Sequence, residues 1–293
     1  MRLGVVILPE HRWEEAAGLW RDAEALGFHH AWTYDHLAWR NLRDSPWFGA
    51  VPVLAAAATV TSRIRLGPLV SSPNFRHPVA FAREVLALDD VASGRLNLGI
   101  GAGGRGWDST ILGQEPWTGS ERTERFSEFV HLLDKLLTSR ETTYSGRYYS
   151  ATEARSHPGC RQSPRVPFVL AGSGPRAMDV VAQWGQTWVT TGPLDAGGSV
   201  ATADGVSAVR AQVAMLEAAC EKLGRDPHGL DRMVLAGPVL DQGLTSFQEF
   251  VDTLGAYGDV GITDFVVHWP RDDEPYSGDR TRFESVITEV LGS

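Results

Sequence analysis

Short apolar runs alternate with longer segments of helical period along almost the whole chain, and this rhythm limits the fold more than any other feature. Leu3 to Leu8 has strand length and no polar break. Trp13 to Leu26 carries apolar residues at helical spacing and stops at Gly27. The pattern then repeats. Strands are expected at His30–Tyr34, Ile64–Val70, Arg95–Ile100, Phe168–Ala171, Thr187–Thr191, Met233–Gly237 and Ile262–His268. Helices are expected at Val51–Thr61, Pro78–Ala92, Glu121–Leu137, Pro175–Trp184, Val206–Leu223, Ser246–Tyr257 and Thr281–Leu291. The strands are apolar throughout, as required when both faces of a sheet are buried.

Eight strands separated by helices predict a (β/α)8 barrel spanning residues 1–293 as one domain. A doubly wound open sheet is the runner-up. It fits less well because Leu3–Leu8 runs into Pro9-Glu10-His11 and not into a glycine-rich turn. Two insertions are expected. One follows strand four. The other covers residues 139–167, after the helix that precedes strand five, and is polar, rich in Gly, Pro and Tyr, and without a helical pattern. Ala196-Gly197-Gly198-Ser199 reads as a mobile loop.

Composition narrows the function classes. The 293 residues are 43% hydrophobic and 22% charged, ordinary for a soluble enzyme. A net charge of −9 argues against a nucleic acid or an anionic membrane as partner. Two distant cysteines, Cys160 and Cys220, suit a reducing cytoplasm better than a disulfide framework. The N-terminal run lacks a basic flank and a cleavage site, so it reads as a strand and not a signal peptide. No segment reaches the about 18 apolar residues of a membrane span. GxSxG, HExxH and clustered metal ligands are all missing, which leaves a hydrolase or a metal site without support.

In a barrel the chemistry gathers at the C-terminal strand ends. Those ends carry Glu10; Asp35, His36 and Trp39; Ser71 to Asn74; Gly101-Ala102-Gly103-Gly104; Gly172-Ser173-Gly174 with Arg176; Thr191; and His268 with Trp269. Gly172-Ser173-Gly174 opens a helix, so its amides and the helix dipole can cradle a phosphate, and Arg176 can add a charged contact. The same spelling also serves a plain tight turn. Trp13, Trp39, Trp47 and Trp107 fall in loops at the same mouth and predict an aromatic pocket. Loops 39–49, 104–120, 139–165 and 192–205 are expected to supply the substrate walls.

The order of motifs resembles the luciferase-like superfamily of flavin- and deazaflavin-dependent oxidoreductases. The matching pieces are Glu24-Ala25-Leu26-Gly27-Phe28, Trp32-Thr33-Tyr34-Asp35-His36, Arg65-Leu66-Gly67, Phe75-Arg76-His77-Pro78, Ser93-Gly94-Arg95-Leu96, Gly99-Ile100-Gly101-Ala102-Gly103 and Ala171-Gly172-Ser173-Gly174. The resemblance implies a cofactor across the barrel mouth, backed by a non-prolyl cis peptide at Leu69-Val70. Leu69, Val70, Ser71, Gly101, Ala102, Gly103, Gly172, Ser173, Gly174, Arg176 and Asp35 are then expected to hold that cofactor. His36 would act on the substrate proton, with Glu10 as a second acid. Trp39, Trp107 and His268 would line the substrate pocket. Histidine suits the task because it changes protonation near neutral pH.

The preferred reading is hydride transfer between coenzyme F-420, a deazaflavin, and a small organic substrate. The alternative is an FMN-dependent monooxygenase fed by a partner reductase. A non-catalytic ligand-binding barrel is a minor third. Relatives of this kind pair as homodimers, and the resemblance makes Val53–Val60 a candidate interface. The sequence departs from the pattern at Gln186, where an acidic residue is common. Lys135 and Lys222 are the only lysines, and neither falls in a predicted top loop, which argues against a sugar phosphate.

Overall fold

The computed structural model describes residues 1–193 and 198–292. Part of the predicted 196–199 loop therefore lies outside the described residues. Eight parallel strands form the barrel: β1 (Arg2–Val6), β2 (His30–Thr33), β3 (Arg65–Pro68), β4 (Leu98–Ile100), β7 (Phe168–Ala171), β8 (Thr187–Thr190), β9 (Asp231–Leu235) and β10 (Asp264–His268). Their order is β3-β2-β1-β10-β9-β8-β7-β4, and the bridges Leu66–Leu96 and Ser71–Ile100 bring β4 back to β3. The helices α1 (Trp13–Leu26), α2 (Ala50–Val60), α3 (Pro78–Val91), α4 (Gly119–Thr138), α5 (Pro175–Trp184), α6 (Thr202–Lys222), α7 (Phe247–Gly258) and α8 (Arg280–Gly292) surround it. None of them is long and apolar enough to cross a membrane.

Strand alternation splits the core in two. Leu3, Val5, Ala31, Leu66, Leu170, Val234 and Phe265 face outward and join the helix layer. Val6, Trp32, Tyr34, Leu69, Val169, Val189, Met233, Leu235 and Val266 fill the barrel itself. Gly4 leaves room for the inward His30 ring, which a Cβ there would strike at 2.0 Å.

Several motif pieces prove to be fold pins. The Glu24 carboxylate accepts from the Ser62, Arg63 and Ile64 amides at 2.9, 2.6 and 2.9 Å. Arg95 donates to the Ala58, Thr61 and Ile64 carbonyls. Gly27 caps α1 with φ of 95°, a left-handed conformation suited to glycine. His77 caps α3 by accepting from the Val79 amide.

The predicted insertion at 139–167 contains structure that the sequence did not suggest. It carries an antiparallel hairpin, β5 (Glu141–Ser145) and β6 (Ser150–Arg155). Glu128 of α4 anchors its turn by accepting from the Arg147, Tyr148 and Tyr149 amides. None of its residues lines the large cavity at the barrel mouth, so this insertion does not form a substrate wall. An exposed two-stranded ribbon needs no apolar run, and that is why it was not legible.

Candidate active site

A cavity of about 730 Å³ opens at the C-terminal strand ends. Following the barrel order across its mouth, β2 contributes Tyr34, His36 and Trp39. Next come Leu69 and Val70 after β3, Ala102 and Gly103 after β4, and Gly172, Ser173, Gly174 and Arg176 after β7. Val189, Thr190 and Leu235 complete the wall. The Leu69-Val70 peptide bond is cis.

Asp35 does not enter the cavity. It is buried beneath it, where Arg76 donates to both carboxylate oxygens and the Ser71 hydroxyl donates to Oδ2. Arg76 also pairs with Glu84, and stacks over the Phe81 ring at 4.5 Å. Asp35 and Ser71 therefore brace the β2 and β3 ends. Gly101 also sits below the lining, where a Cβ would lie 2.8 Å from Val70 Cγ2.

His36 does face the cavity. Its Nδ1 donates to Asp108 Oδ2, while Asp108 Oδ1 accepts from the Leu37 and Ala38 amides at 2.6 and 3.2 Å. A carboxylate only accepts, so beside ionised Asp108 the Nδ1 carries a proton, and in the neutral ring Nε2 is the basic nitrogen. Nε2 makes no hydrogen bond among the described residues. The Trp47 indole donates to the His36 carbonyl at 2.8 Å and stacks on Trp39.

Three predicted site residues lie elsewhere. Glu10 is held by Arg271 through two bonds of 2.7 and 2.8 Å and does not line the cavity. The forked guanidinium takes both oxygens, so Glu10 ties the β1 end to the loop after β10. Trp107 is exposed and lies under Arg43, 4.0 Å from its guanidinium carbon. His268 is buried one layer behind Tyr34, whose hydroxyl meets its Nε2 at 2.8 Å. Gln186 is also structural. Its carbonyl accepts from Arg165 and from the Phe168 amide.

The Gly-Ser-Gly end fits an anion. No atom lies within 4 Å of a Cβ built on Gly174, so the α5 N-terminus opens onto free space. Its first-turn amides have no partner within the helix. Arg122, one turn into α4, lines the same wall with its Nε buried and unpartnered. Burial, then the neighbouring Arg105 charge, lowers the Arg122 pKa. An unpaired cation beside a like charge is what a bound anion relieves. Arg122 carried no signal in the sequence, because only the packing of α4 turns it inward.

His29, His30 and Asp264 cluster at the opposite end of the barrel, within 4.8 Å of one another. Arg2 donates to both Asp264 oxygens and His30 faces one of them, so an ion pair already fills this group. Burial would raise the Asp264 pKa, but hydrogen bonds from His30 and Arg2 outweigh it and hold the carboxyl well below its ordinary value.

A family model described as luciferase-like monooxygenase matches residues 1–249. An F-420-dependent glucose-6-phosphate dehydrogenase from Beutenbergia cavernae is 30% identical over 295 residues, covering 86% of each chain. Among solved structures, an F-420-dependent secondary alcohol dehydrogenase in complex with an F-420–acetone adduct superposes with a TM-score of 0.81. That match has 17% identity and covers 99% of this chain and 97% of the other. A monooxygenase from Streptomyces bottropensis gives a TM-score of 0.75 and 18% identity, over 100% and 98% of the two chains. At these identities the structural matches speak for the barrel fold alone.

Proposed function

The chain belongs to the luciferase-like monooxygenase family, and from that premise we propose that it is a coenzyme F-420-dependent oxidoreductase acting on a small organic substrate. One observation carries this reading. His36 faces a large cavity with Nδ1 fixed by Asp108 and Nε2 free, the geometry of a base beside a redox ring. The likeness to the Beutenbergia cavernae dehydrogenase supports the deazaflavin as cofactor.

The lining residues suit such a cofactor. Leu69, Val70 and Ala102 offer a flat apolar wall for a ring. Ser173, Gly174, Arg176 and Arg122 offer amides and charge for its phosphate. When bound, the cofactor supplies the acceptor or donor of hydride. His36 Nε2 takes or returns the substrate hydroxyl proton, and Asp108 holds the ring in the tautomer that can do so. Trp39 and Tyr34 exclude water from that end. Lys222 pairs with Asp179, and Lys135 lies 6.0 Å from the Tyr144 ring centroid. Neither lysine is available to a sugar phosphate in the cavity, and Tyr34, Trp39, Val189 and Leu235 favour a largely apolar substrate. A second copy of the chain as partner, seated on the Val53–Val60 segment of α2, belongs to the same proposal.

Spectroscopic titration with F-420 and with FMN tests the reading. Binding of the deazaflavin, with substrate-dependent bleaching or recovery of its absorbance, is the expected result. Tight FMN binding with no response to F-420 would instead favour the flavin monooxygenase.

A further inference from the structure

We infer that Arg40 holds a carboxylate on the substrate, which makes the substrate class an otherwise apolar alcohol or ketone carrying one carboxylate group. The inference rests on the oxidoreductase reading above and names the substrate of that same site. Among the described residues that line the catalytic cavity none is Asp or Glu, and three are arginines: Arg40, Arg122 and Arg176. The chain as a whole runs the other way, with 36 acidic residues against 27 lysines and arginines. A cleft with charges of one sign and apolar walls focuses its field and draws in ions of the opposite sign.

Two of the three cations already have a task. Arg122 and Arg176 share their wall with Gly172-Ser173-Gly174, where the amides and the α5 N-terminus suit the cofactor phosphate. Arg40 stands apart from them, after β2 and on the far side of β3 and β4. It shares its part of the lining with Tyr34, His36 and Trp39. A cofactor phosphate at α5 therefore leaves Arg40 to a second anion, beside the base. A single guanidinium matches a planar carboxylate through two parallel hydrogen bonds. A phosphate needs more donors than this end offers, so the anion assigned to it is a carboxylate.

Arg40 is exposed at the rim, and its guanidinium carbon lies 5.1 Å from the centroid of the Trp39 ring. It makes no hydrogen bond or ion pair among the described residues. The carboxylates at neighbouring strand ends are engaged elsewhere: Asp35 with Arg76, Glu10 with Arg271 and Asp108 with His36. The Arg40 charge is felt inside the barrel. Burial raises the pKa of both Tyr34 and Tyr276, and that charge opposes the rise in each. The backbone points the same way. Arg40 has φ of 42°, a left-handed conformation uncommon for a residue with a side chain. A long cation held at such a position fits a residue kept for binding. With its carboxylate on Arg40, a substrate presents its hydroxyl or carbonyl to His36 Nε2, while Trp39, Val189 and Leu235 cover its carbon chain.

Hexanoate and hexanamide, alike in shape and different in charge, test the site by binding alone. In protein loaded with oxidised F-420, whose phosphate takes up the α5 end, NMR titration should find hexanoate bound at least about tenfold tighter than hexanamide. Arg40→Gln should bring the two to within about threefold of each other. Its hexanamide Kd should stay within about twofold of the wild-type value, which shows that the pocket itself is intact. Arg40→Lys keeps the charge and should prefer hexanoate more strongly than Arg40→Gln does. Equal affinity for the two probes in the wild type, or a preference that survives in Arg40→Gln, overturns the assignment. A wild-type chain that does not bind F-420 would sink the functional reading instead. Quenching of tryptophan fluorescence by the same two probes in cofactor-free protein, compared between wild type and Arg40→Gln, would then still decide the carboxylate site.

Discussion

The His36 ring is locked by a carboxylate 72 residues away, through the bond from its Nδ1 to Asp108. Asp108 accepts on its other oxygen from two backbone amides, so its two oxygens are not interchangeable. In Asp108→Asn the side-chain carbonyl must stay on those amides, which turns the NH2 group toward His36. Nδ1 then becomes an acceptor and Nε2 carries the proton, the wrong tautomer for a base. Turnover should fall by about 10²-fold or more, with cofactor affinity within threefold. Steady-state kinetics beside a binding titration checks this; near-normal kcat would exclude Asp108 from positioning His36.

His36→Ala removes the base itself. Cofactor binding should stay within a few-fold, because the residues assigned to the cofactor lie across the mouth on β3, β4 and β7. Turnover should drop by roughly 10²- to 10⁴-fold. A variant with ordinary turnover would take His36 out of the mechanism.

Arg122→Ala removes from the cavity wall the cation whose buried Nε has no partner. Affinity for the intact cofactor should weaken at least about tenfold, equivalent to about 1.4 kcal/mol. Affinity for a dephosphorylated deazaflavin should change little. Equal losses for both ligands would argue that Arg122 acts through packing.

Arg76→Ala leaves Asp35 buried without its main partner. Breaking a buried pair in this way costs about 3–5 kcal/mol. Urea unfolding should show a matching drop in midpoint. Cofactor affinity per folded molecule should change much less, since Asp35 does not line the cavity.

His268 makes stability depend on pH. Its folded pKa of about 3 lies below the unfolded value of 6.5. The unfolded chain therefore binds a proton that the folded chain refuses. The stabilisation is complete above pH 6.5 and is lost as pH falls from there toward 3, by up to about 1.4 kcal/mol per unit. Urea midpoints at pH 7, 6 and 5 should decline in the wild type and flatten in His268→Gln. Parallel slopes in the two proteins would remove His268 as the cause.

Much of the site was legible where function depends on local spelling. Gly172-Ser173-Gly174 before Pro175 reads as an open helix N-terminus, and the structure keeps it open. Tyr34-Asp35-His36 reads as a strand end, and the structure puts it there. Which member faces the cavity was not legible, because adjacent residues at a strand end point to opposite sides. Asp35 went below, to Arg76, and His36 went above. Glu10 reads as a second acid at a strand end until Arg271, 261 residues later, closes on it.

The sequence alone determined the alternation of buried strands and amphipathic helices, and with it the barrel, because hydrophobic period is a local property. It also determined where the open helix start at Gly172-Ser173-Gly174 falls. Tertiary structure alone decided the tautomer of His36, the retirement of Glu10 and Asp35 to ion pairs, and the contact of Tyr34 with His268. Those depend on residues more than 40 and up to 261 positions apart, and only closure of the barrel brings such partners within hydrogen-bond reach.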